Sequence, residues 1–503
     1  MASKKKVVAV KGRWKPAASE AGVRVRMYRV GFGDFFLVSF LPDAGAPVHV
    51  VIDCGVFKGT SQTGDIQSIE AAVEHMAGET GGDIALIIMT HRHADHIAGF
   101  ARCSATFKKM RVGAVWMPVW ESEYEPTAVK FQAELTSTAL GLRKHFAGLG
   151  AAASPEQDTA RRYMENATGE FTGALSVAGG SNASALDLLK RGLGVTPEFY
   201  KAGDEPKIPA ALVKAGLACQ VLGPPPLKDL DLMKLMDLKK NVGQYLAMSG
   251  EGEEGEEVST APFGNQWIAD VPDLAETETK EFFARNAFRE WVPGKPWRDI
   301  DGKRADAARR KMEAVLSESQ PIAALTAAKQ LNAFLNNQSL VTLFTFKGKK
   351  LLFVGDAQAG NWEHWLFTTD KPDKAASGTM SAVAQEVLGS LNFYKVGHHG
   401  SSNATPRAAA EAMCTHGHHF VAMCSTENGV YGTEDPDDPT KGTEVPRIPL
   451  LAKLSEQAAL VRSDQVAITV KMKKIAAAVK LPMPKASPGT RLVEGELWVD
   501  CFL

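Results

Sequence analysis

Short apolar runs broken by glycine fill two separated stretches of the chain, and they predict strands. In the first stretch, VRVRMYRVG (23–31), FFLVSFL (35–41) and VHVVIDCG (48–55) are rich in β-branched and aromatic residues, with turn residues between them. SIEAAVEHMAGE (68–79) instead repeats apolar residues at helical spacing. It leads through two glycines into a further strand, ALIIM (85–89), and AVWMP (114–118) predicts another. From about 121 to 216 the pattern is mixed and mostly helical, without a motif, until ACQVLGPPP (218–226) returns to the sheet. A second interruption spans about 227–330. There LDLMKLMDLKKNVGQYLAM (230–248) and RADAARRKMEAVL (304–316) carry helical periodicity, and SGEGEEGEE (249–257) predicts a solvated acidic loop. Strand patterns then resume. NNQSLVTLFTFKGKKLLFVGDAQ (336–358) predicts a hairpin ending in Gly355-Asp356, and LNFYKVGHHGSSNATP (391–406) a strand that feeds a Gly/Ser loop. HHFVAMCST (418–426) and DQVAITVKM (464–472) complete the set.

Composition narrows the class. With 503 residues, 45% hydrophobic and 23% charged, the chain is an ordinary globular protein of one elaborated domain or two. A formal charge of −1 gives no global field for nucleic acid or an anionic membrane. Basic clusters are local: KKK (4–6), RKHF (143–146) and KGKK (347–350). The six cysteines show no CxxC spacing, which argues against a disulfide framework or a thiolate zinc site and fits a cytoplasmic location. No apolar run reaches the roughly 18–20 residues that cross a bilayer, so no membrane insertion is expected. Residues 1–21 begin with a basic front and lack an apolar signal region, so they are expected to form a basic tail. The sequence sets no expectation for protein partners or oligomeric state.

The chemistry concentrates in THRHADHIAGF (90–100), at the end of the ALIIM strand. His91, His93, Asp95 and His96 fall within six positions, and on a loop leaving a strand they can fan around a point. Imidazole and carboxylate are preferred ligands of zinc and similar divalent ions. Four such ligands exceed what one catalytic ion with an open position needs, which points to two ions sharing the loop. Asp356 alone would read equally as a turn residue or helix cap, and the pair His398-His399 is ambiguous by itself.

Taken in order, GFGD (31–34), VIDCG (51–55), HRHADH (91–96), VGDAQ (354–358) and VGHHGSS (396–402) resemble the metallo-β-lactamase superfamily. Within it the chain looks most like the ComEC-like, nuclease-type hydrolase branch, a likeness that STENGVYG (425–432) and RSDQVAITV (462–470) share. The resemblance covers about 22–120, 217–226 and 331–472. It implies an α/β (α+β) fold, the αββα metallo-β-lactamase sandwich, over residues 22–503, with large mostly helical insertions at about 121–216 and 227–330. It also implies two divalent metal ions, zinc first, with manganese or iron as alternatives. His91 and His93 would bind one ion, Asp95 and His96 the other, and Asp356 would bridge both. One of His398 and His399 would complete the second site, and the other would face substrate with Ser401 and Ser402. Asp34 and Asp53 would orient ligands from behind. The implied reaction is phosphodiester hydrolysis by a metal-activated water aimed by Asp95 or Asp356, on nucleic acid or a nucleotide. Two departures stand out. The chain has HxHxDH where the ComEC-like branch reads HxDxDH, which makes the first site more zinc-like. The superfamily's middle histidine is also unassigned, since between 97 and 340 the chain has only His145, in the helix-like run ALGLRKHFAGL (139–149). At least one insertion is expected to overhang the site. The alternatives are a small-molecule hydrolase acting on a lactone, thioester or cyclic nucleotide, and a catalytically inactive metal-bound scaffold or sensor.

Overall fold

FFLVSFL, apolar everywhere except Ser39, forms a strand buried along its whole length, β2 (Phe35–Leu41). It lies between β1 (Gly22–Tyr28) and β3 (Val48–Cys54), both antiparallel to it. The computed structural model describes residues 22–57, 68–135, 155–168, 182–234, 289–290, 298–299, 321–367, 380–414, 420–432, 444–464 and 490–503. After β3 the chain forms helix α1 (Ile69–Thr80), capped by the Ser68 hydroxyl at its start and by left-handed Gly81 at its end. The strands β4 (Asp83–Ile84) and β6 (Arg111–Val112) make a small ladder of their own. Around them β5 (Leu86–Ile88), β7 (Val115–Pro118) and β8 (Glu198–Tyr200) extend the main sheet in parallel beyond β3.

A six-stranded sheet holds the rest. β9 (Ala218–Gly223) is its edge, and the short ladder of β10 (Arg289–Glu290) with β11 (Arg298–Asp299) stands apart. β12 (Val341–Phe346) and β13 (Lys349–Phe353) form the expected hairpin. β14 (Phe393–Lys395), β15 (Phe420–Cys424) and β16 (Ala458–Arg462) follow in parallel. Finally β17 (Arg491–Glu494) and β18 (Trp498–Phe502) join the first sheet, with β18 against β1, making eight strands there.

Period-2 alternation decides what each face meets. Val23, Val25, Phe36, Val38, Phe40, Val50 and Ile52 of one sheet share a buried core with Phe344, Leu351, Phe353, Phe393 and Val421 of the other. The two sheets therefore pack face to face. A fully buried phenylalanine side chain is worth roughly 1.5–3 kcal/mol, so this shared core is a main source of stability. On the outer face of the first sheet, Tyr28, Leu37 and Val51 pack against α1 and α2 (Ala94–Arg102). On that of the second, Leu352, Tyr394 and Ala422 pack against helices over Ala359–Leu366, Ala382–Gly389, Arg407–Cys414 and Ile448–Leu454.

The outer face of β1 breaks the apolar rule. Arg24 and Arg26 are buried there, with Glu79 from the last turn of α1 bonded to both guanidinium groups. Asp500 of β18 takes Arg26 in a two-bond fork at 2.6 Å for each bond, and the Arg26 guanidinium stacks 3.8 Å from the Trp498 ring centroid. These charges bind α1, β1 and β18 to one another.

The structure adds three strands or strand pairs that the sequence pattern does not announce. The region 121–216 is mostly helical where it is described, over Pro155–Thr168, Asn182–Asp187, Leu188–Gly192 and Ala210–Ala215, but its residues 198–200 add β8 to the main sheet. A three-residue strand is too short to leave an alternating signature. The C-terminal hairpin β17–β18 carried no expectation at all. The chain's return to the second sheet also occurs at 458–462, whereas the expected strand over 464–472 lies, from 465 on, outside the described residues. So do residues 1–21, most of 230–248, the acidic loop 249–257, the helix expected over 304–316, and His145. The KGKK turn of the β12–β13 hairpin stands at the end opposite Asp356, separated from it by β13, roughly 17 Å of extended strand, with Lys347 paired to Asp43 at 2.6 Å.

Candidate metal centre

The parallel strands of both sheets deliver their C-terminal ends to one place. β3 ends in Asp53, β5 in the histidine loop, β13 in Gly355-Asp356, β14 in His398-His399 and β15 in Ser425. His91 and His93 lie in the loop after β5. Asp95 and His96 fall in the first turn of α2, where a carboxylate also gains from the helix dipole.

The glycine motifs explain themselves by close approach. Asp34 N donates to Asp95 O at 2.8 Å, and Gly55 N donates to Asp34 O at 2.9 Å, so the GFGD and VIDCG loops clamp the histidine loop. A Cβ on Gly55 would stand 2.2 Å from Asp95 C and His96 N. Gly55→Ala should therefore push the loop aside and cost about 1–3 kcal/mol as an overpacking change. Thermal unfolding of the variant checks this, and an unchanged Tm would contradict the clamp.

Asp53 sits in the left-handed region (φ 54), which Asp tolerates better than most residues. Its carboxylate accepts from Thr90 N at 2.8 Å, Thr90 Oγ1 at 2.6 Å and His96 Nδ1 at 2.7 Å. With Nδ1 donating to Asp53, neutral His96 has only a lone pair on Nε2. That lone pair faces Asp356 Oδ2 at 3.1 Å, and neither atom has a hydrogen-bond partner. His399 repeats the pattern: Nδ1 donates to Ser425 O at 2.8 Å, while Nε2 lies 3.1 Å from Asp95 Oδ2 and 3.5 Å from Asp356 Oδ2. Asp95 Oδ1 is also buried without a partner. Donor atoms of Asp95, His96, Asp356 and His399 all lie within 4.8 Å of one another, and all four side chains are buried.

The electrostatics follow from that crowding. Burial opposes charge on His96, yet Asp356, Asp53, Asp34 and Asp95 raise its pKa well above the usual imidazole value. His399 is raised against burial by Asp356, Asp95 and Asp34. Burial works against the Asp95 carboxylate too, but His96 and His399 hold it at about 2. These two imidazoles stand where the protein's own field calls for positive charge. His91, by contrast, is driven down by burial and by its neighbours His96 and His93, and His93 falls to about 4, chiefly by burial.

His91 Nε2 and His93 Nδ1 are 2.8 Å apart, and His93 Nε2 is buried and unpartnered. His91 Nδ1 meets Thr90 Oγ1 at 3.2 Å and Ser339 Oγ at 3.4 Å. Among the described residues, His91 and His93 stand beside the four-donor group and outside it.

His398 and His399 both have left-handed backbones, φ 43 and 53, an unfavourable conformation for two consecutive non-glycine residues. The turn aims the two rings differently. His399 enters the donor group, while His398 Nε2 stays 4.0 Å from Asp356 Oδ2, at the margin, near Asn336 Nδ2 at 3.4 Å. Asn403 Oδ1 meets His398 Nδ1 at 3.0 Å and accepts from Ser401 Oγ at 3.0 Å, so Ser401 steadies the loop around His398. Ser402 is half-buried in the same loop and makes no hydrogen bond to the donor group among the described residues. Asp34 lies behind the cluster, its Oδ1 3.7 Å from His399 Nδ1, with burial raising its pKa.

Sequence reasoning missed two neighbours. Lys395, in the interior of β14, bonds to Asp34 and lies 3.3 Å from Asp356 Oδ1. Tyr431 closes one side, its ring 5.1 Å from that of Phe32, which itself packs 4.2 Å from the His399 ring. The first interruption of the core also reaches this end, and the helix Pro321–Asn337, which begins inside the second interruption and ends beyond it, reaches it with Asn336. Asn166 Oδ1, on the helix Pro155–Thr168, accepts from Asp95 N at 3.2 Å, and Tyr163 stacks on Tyr431. No protein-family model matches the chain, and neither a curated protein nor a solved structure matches it.

Proposed function

We propose that this chain is a metal-dependent hydrolase of the metallo-β-lactamase type, with the αββα sandwich of that superfamily, acting on phosphodiesters. The observation that carries the metal reading is the convergence of donor atoms from Asp95, His96, Asp356 and His399 within 4.8 Å of one another, with His96 Nε2, Asp356 Oδ2 and Asp95 Oδ1 buried without a hydrogen-bond partner. With each Nδ1 hydrogen already spent, Nε2 can face a carboxylate oxygen only with positive charge between them, either the proton of an imidazolium that the surrounding carboxylates favour or a metal ion that displaces it. Asp95, His96, Asp356 and His399 would hold one ion, and His91 and His93, with Asp356, a second. Asp53 and Ser425 O would fix the tautomers of His96 and His399. Divalent ions there would supply Lewis acidity and an activated water. Asp95, with an unpartnered Oδ1 and a depressed pKa, is the acceptor suited to orient that water. His398, at the margin, would donate to substrate.

The phosphodiester class rests on the resemblance carried by the ordered motifs, with nucleic acid or a nucleotide as the substrate. One observation favours a second reading. The donors are buried, the helix Pro155–Thr168 of the first interruption bonds to Asp95 N through Asn166, and the KGKK cluster stands at the opposite end of β13. That arrangement suits a small ester, lactone, thioester or cyclic nucleotide better than a long duplex. Metal analysis of the pure protein, followed by assay with bis-p-nitrophenyl phosphate and with lactone and thioester substrates, tests both. The expected result is up to two transition ions per chain and diester hydrolysis that a chelator removes. Failure to bind zinc or manganese after reconstitution would end the metal reading. Metal binding without any hydrolysis would leave the scaffold or sensor.

A further inference from the structure

Lysine is seldom fully buried, and Lys395 has almost no exposed surface. Its neighbours on β14 explain how it gets there. Phe393 points into the core between the sheets and Tyr394 to the opposite face, so Lys395 points inward again, at the strand end that meets the metal centre. Its ammonium has three donors and three acceptors: the Asp34 carboxylate, Gly355 O at 2.8 Å and Asp356 Oδ1 at 3.3 Å. Four carboxylates are buried at this centre, those of Asp34, Asp53, Asp95 and Asp356. Among the described residues, Lys395 is the lysine or arginine that forms ion pairs with them.

Asp356 is thereby divided. Oδ1 faces the ammonium, while Oδ2 faces His96 and His399 and has no hydrogen bond. We propose that Lys395 is an internal counter-cation of the metal centre. It holds Asp34 and Asp356 together when no ion is bound, and it leaves an incoming divalent ion a single oxygen of Asp356. This inference rests on the metal reading above. Two effects follow, of opposite sign. The ammonium stabilises the empty centre, because a carboxylate buried without a partner is costly. The same positive charge, a few ångströms from the ion's position, weakens metal binding by repulsion and by competition for Asp356.

Wild type and Lys395→Met, each stripped with chelator and then titrated with zinc, separate this role from simple packing. A packing role would lower the Tm of the stripped and loaded forms alike. The gain in Tm on adding metal would then be unchanged, since that gain depends on the affinity for the ion. A counter-cation role lowers the Tm of the stripped variant and makes its metal-induced gain about twofold larger or more than that of wild type. Calorimetric titration should show roughly tenfold tighter zinc binding by the variant. An equal or smaller gain, with equal or weaker affinity, would overturn the proposal while leaving the metal reading intact. No gain in wild type would instead remove the metal reading, and this inference with it. Should Lys395→Met fail to fold even with zinc, the double variant Asp34→Asn/Lys395→Met decides. It removes both members of the Asp34–Lys395 ion pair and leaves Asp356 uncontested, so it should bind zinc more tightly than wild type. Equal or weaker binding there would overturn the proposal.

Discussion

Asp356→Ala should leave a folded protein that no longer hydrolyses phosphodiesters. The side chain is the hub of the centre: Oδ2 lies 3.1, 3.5 and 4.0 Å from the Nε2 atoms of His96, His399 and His398, and Oδ1 lies 3.3 Å from Lys395. Among the described residues no other carboxylate lies within 4.0 Å of all four, so its loss should scatter the donor group. A thousandfold drop corresponds to about 4 kcal/mol of transition-state stabilisation, and the loss should be at least of that order. The fold should persist because Asp356 lies at a strand end, outside the shared core, and Lys395 keeps Asp34. The comparison belongs on single-stranded DNA, double-stranded DNA, RNA and a chromogenic diester, with zinc and manganese tested separately. His145→Ala, in a helix-like stretch without ligand context, should retain activity. Wild-type rates in the Asp356 variant would sink the mechanism. Wild-type activity confined to lactones or thioesters would keep the centre and discard the phosphodiester assignment.

The second large effect concerns stability. Glu79→Gln should cost about 3–5 kcal/mol, as removal of one partner from a buried ion network does. Glu79 is the carboxylate that Arg24 and Arg26 share, and both guanidinium groups are buried. Without it two like charges remain close together, with Asp500 hydrogen-bonded to Arg26 and 3.8 Å from Arg24. A domain typically has only about 5–15 kcal/mol to lose, so the variant should unfold at markedly lower urea. Asp83→Asn is the control: its partner Arg111 is exposed, and such surface pairs contribute little. If Glu79→Gln and Asp83→Asn unfold at the same urea concentration, the network is not what secures α1 and β18 to the sheet.

Charged residues mark the boundary of what the sequence discloses. FFLVSFL predicts β2 residue for residue because a short run that is apolar except at Ser39, bounded by turn residues and rich in aromatic and β-branched side chains, suits a buried strand. The histidine loop is equally visible as a cluster, and the structure brings its Asp95 and His96 together with Asp356 and His399. Arg24 and Arg26 are different. An arginine every second residue normally marks the wet face of a strand, and here that face is dry. The carboxylates that make it tolerable come from positions 79 and 500, and no local pattern announces them. Lys395 is hidden for the same reason, because NFYKV gives no hint that two aspartates from other strands wait above it. β8 was lost to shortness. His398 and His399 are indistinguishable as letters, and only the left-handed turn separates one from the other.

Asp95 and His399, whose side chains meet at 3.1 Å, are separated by 304 positions. Contacts this distant close late, because chain entropy must be lost before they reward it. During refolding the histidine loop exists long before the centre does. On the metal reading, an ion reaching the chain early would find only the donors of one strand end and exchange freely, whereas one arriving after the sheets have docked would meet all of them together. Tight metal capture should therefore lag behind the burial of the aromatic core, and its rate should be independent of metal concentration once the ion is in excess.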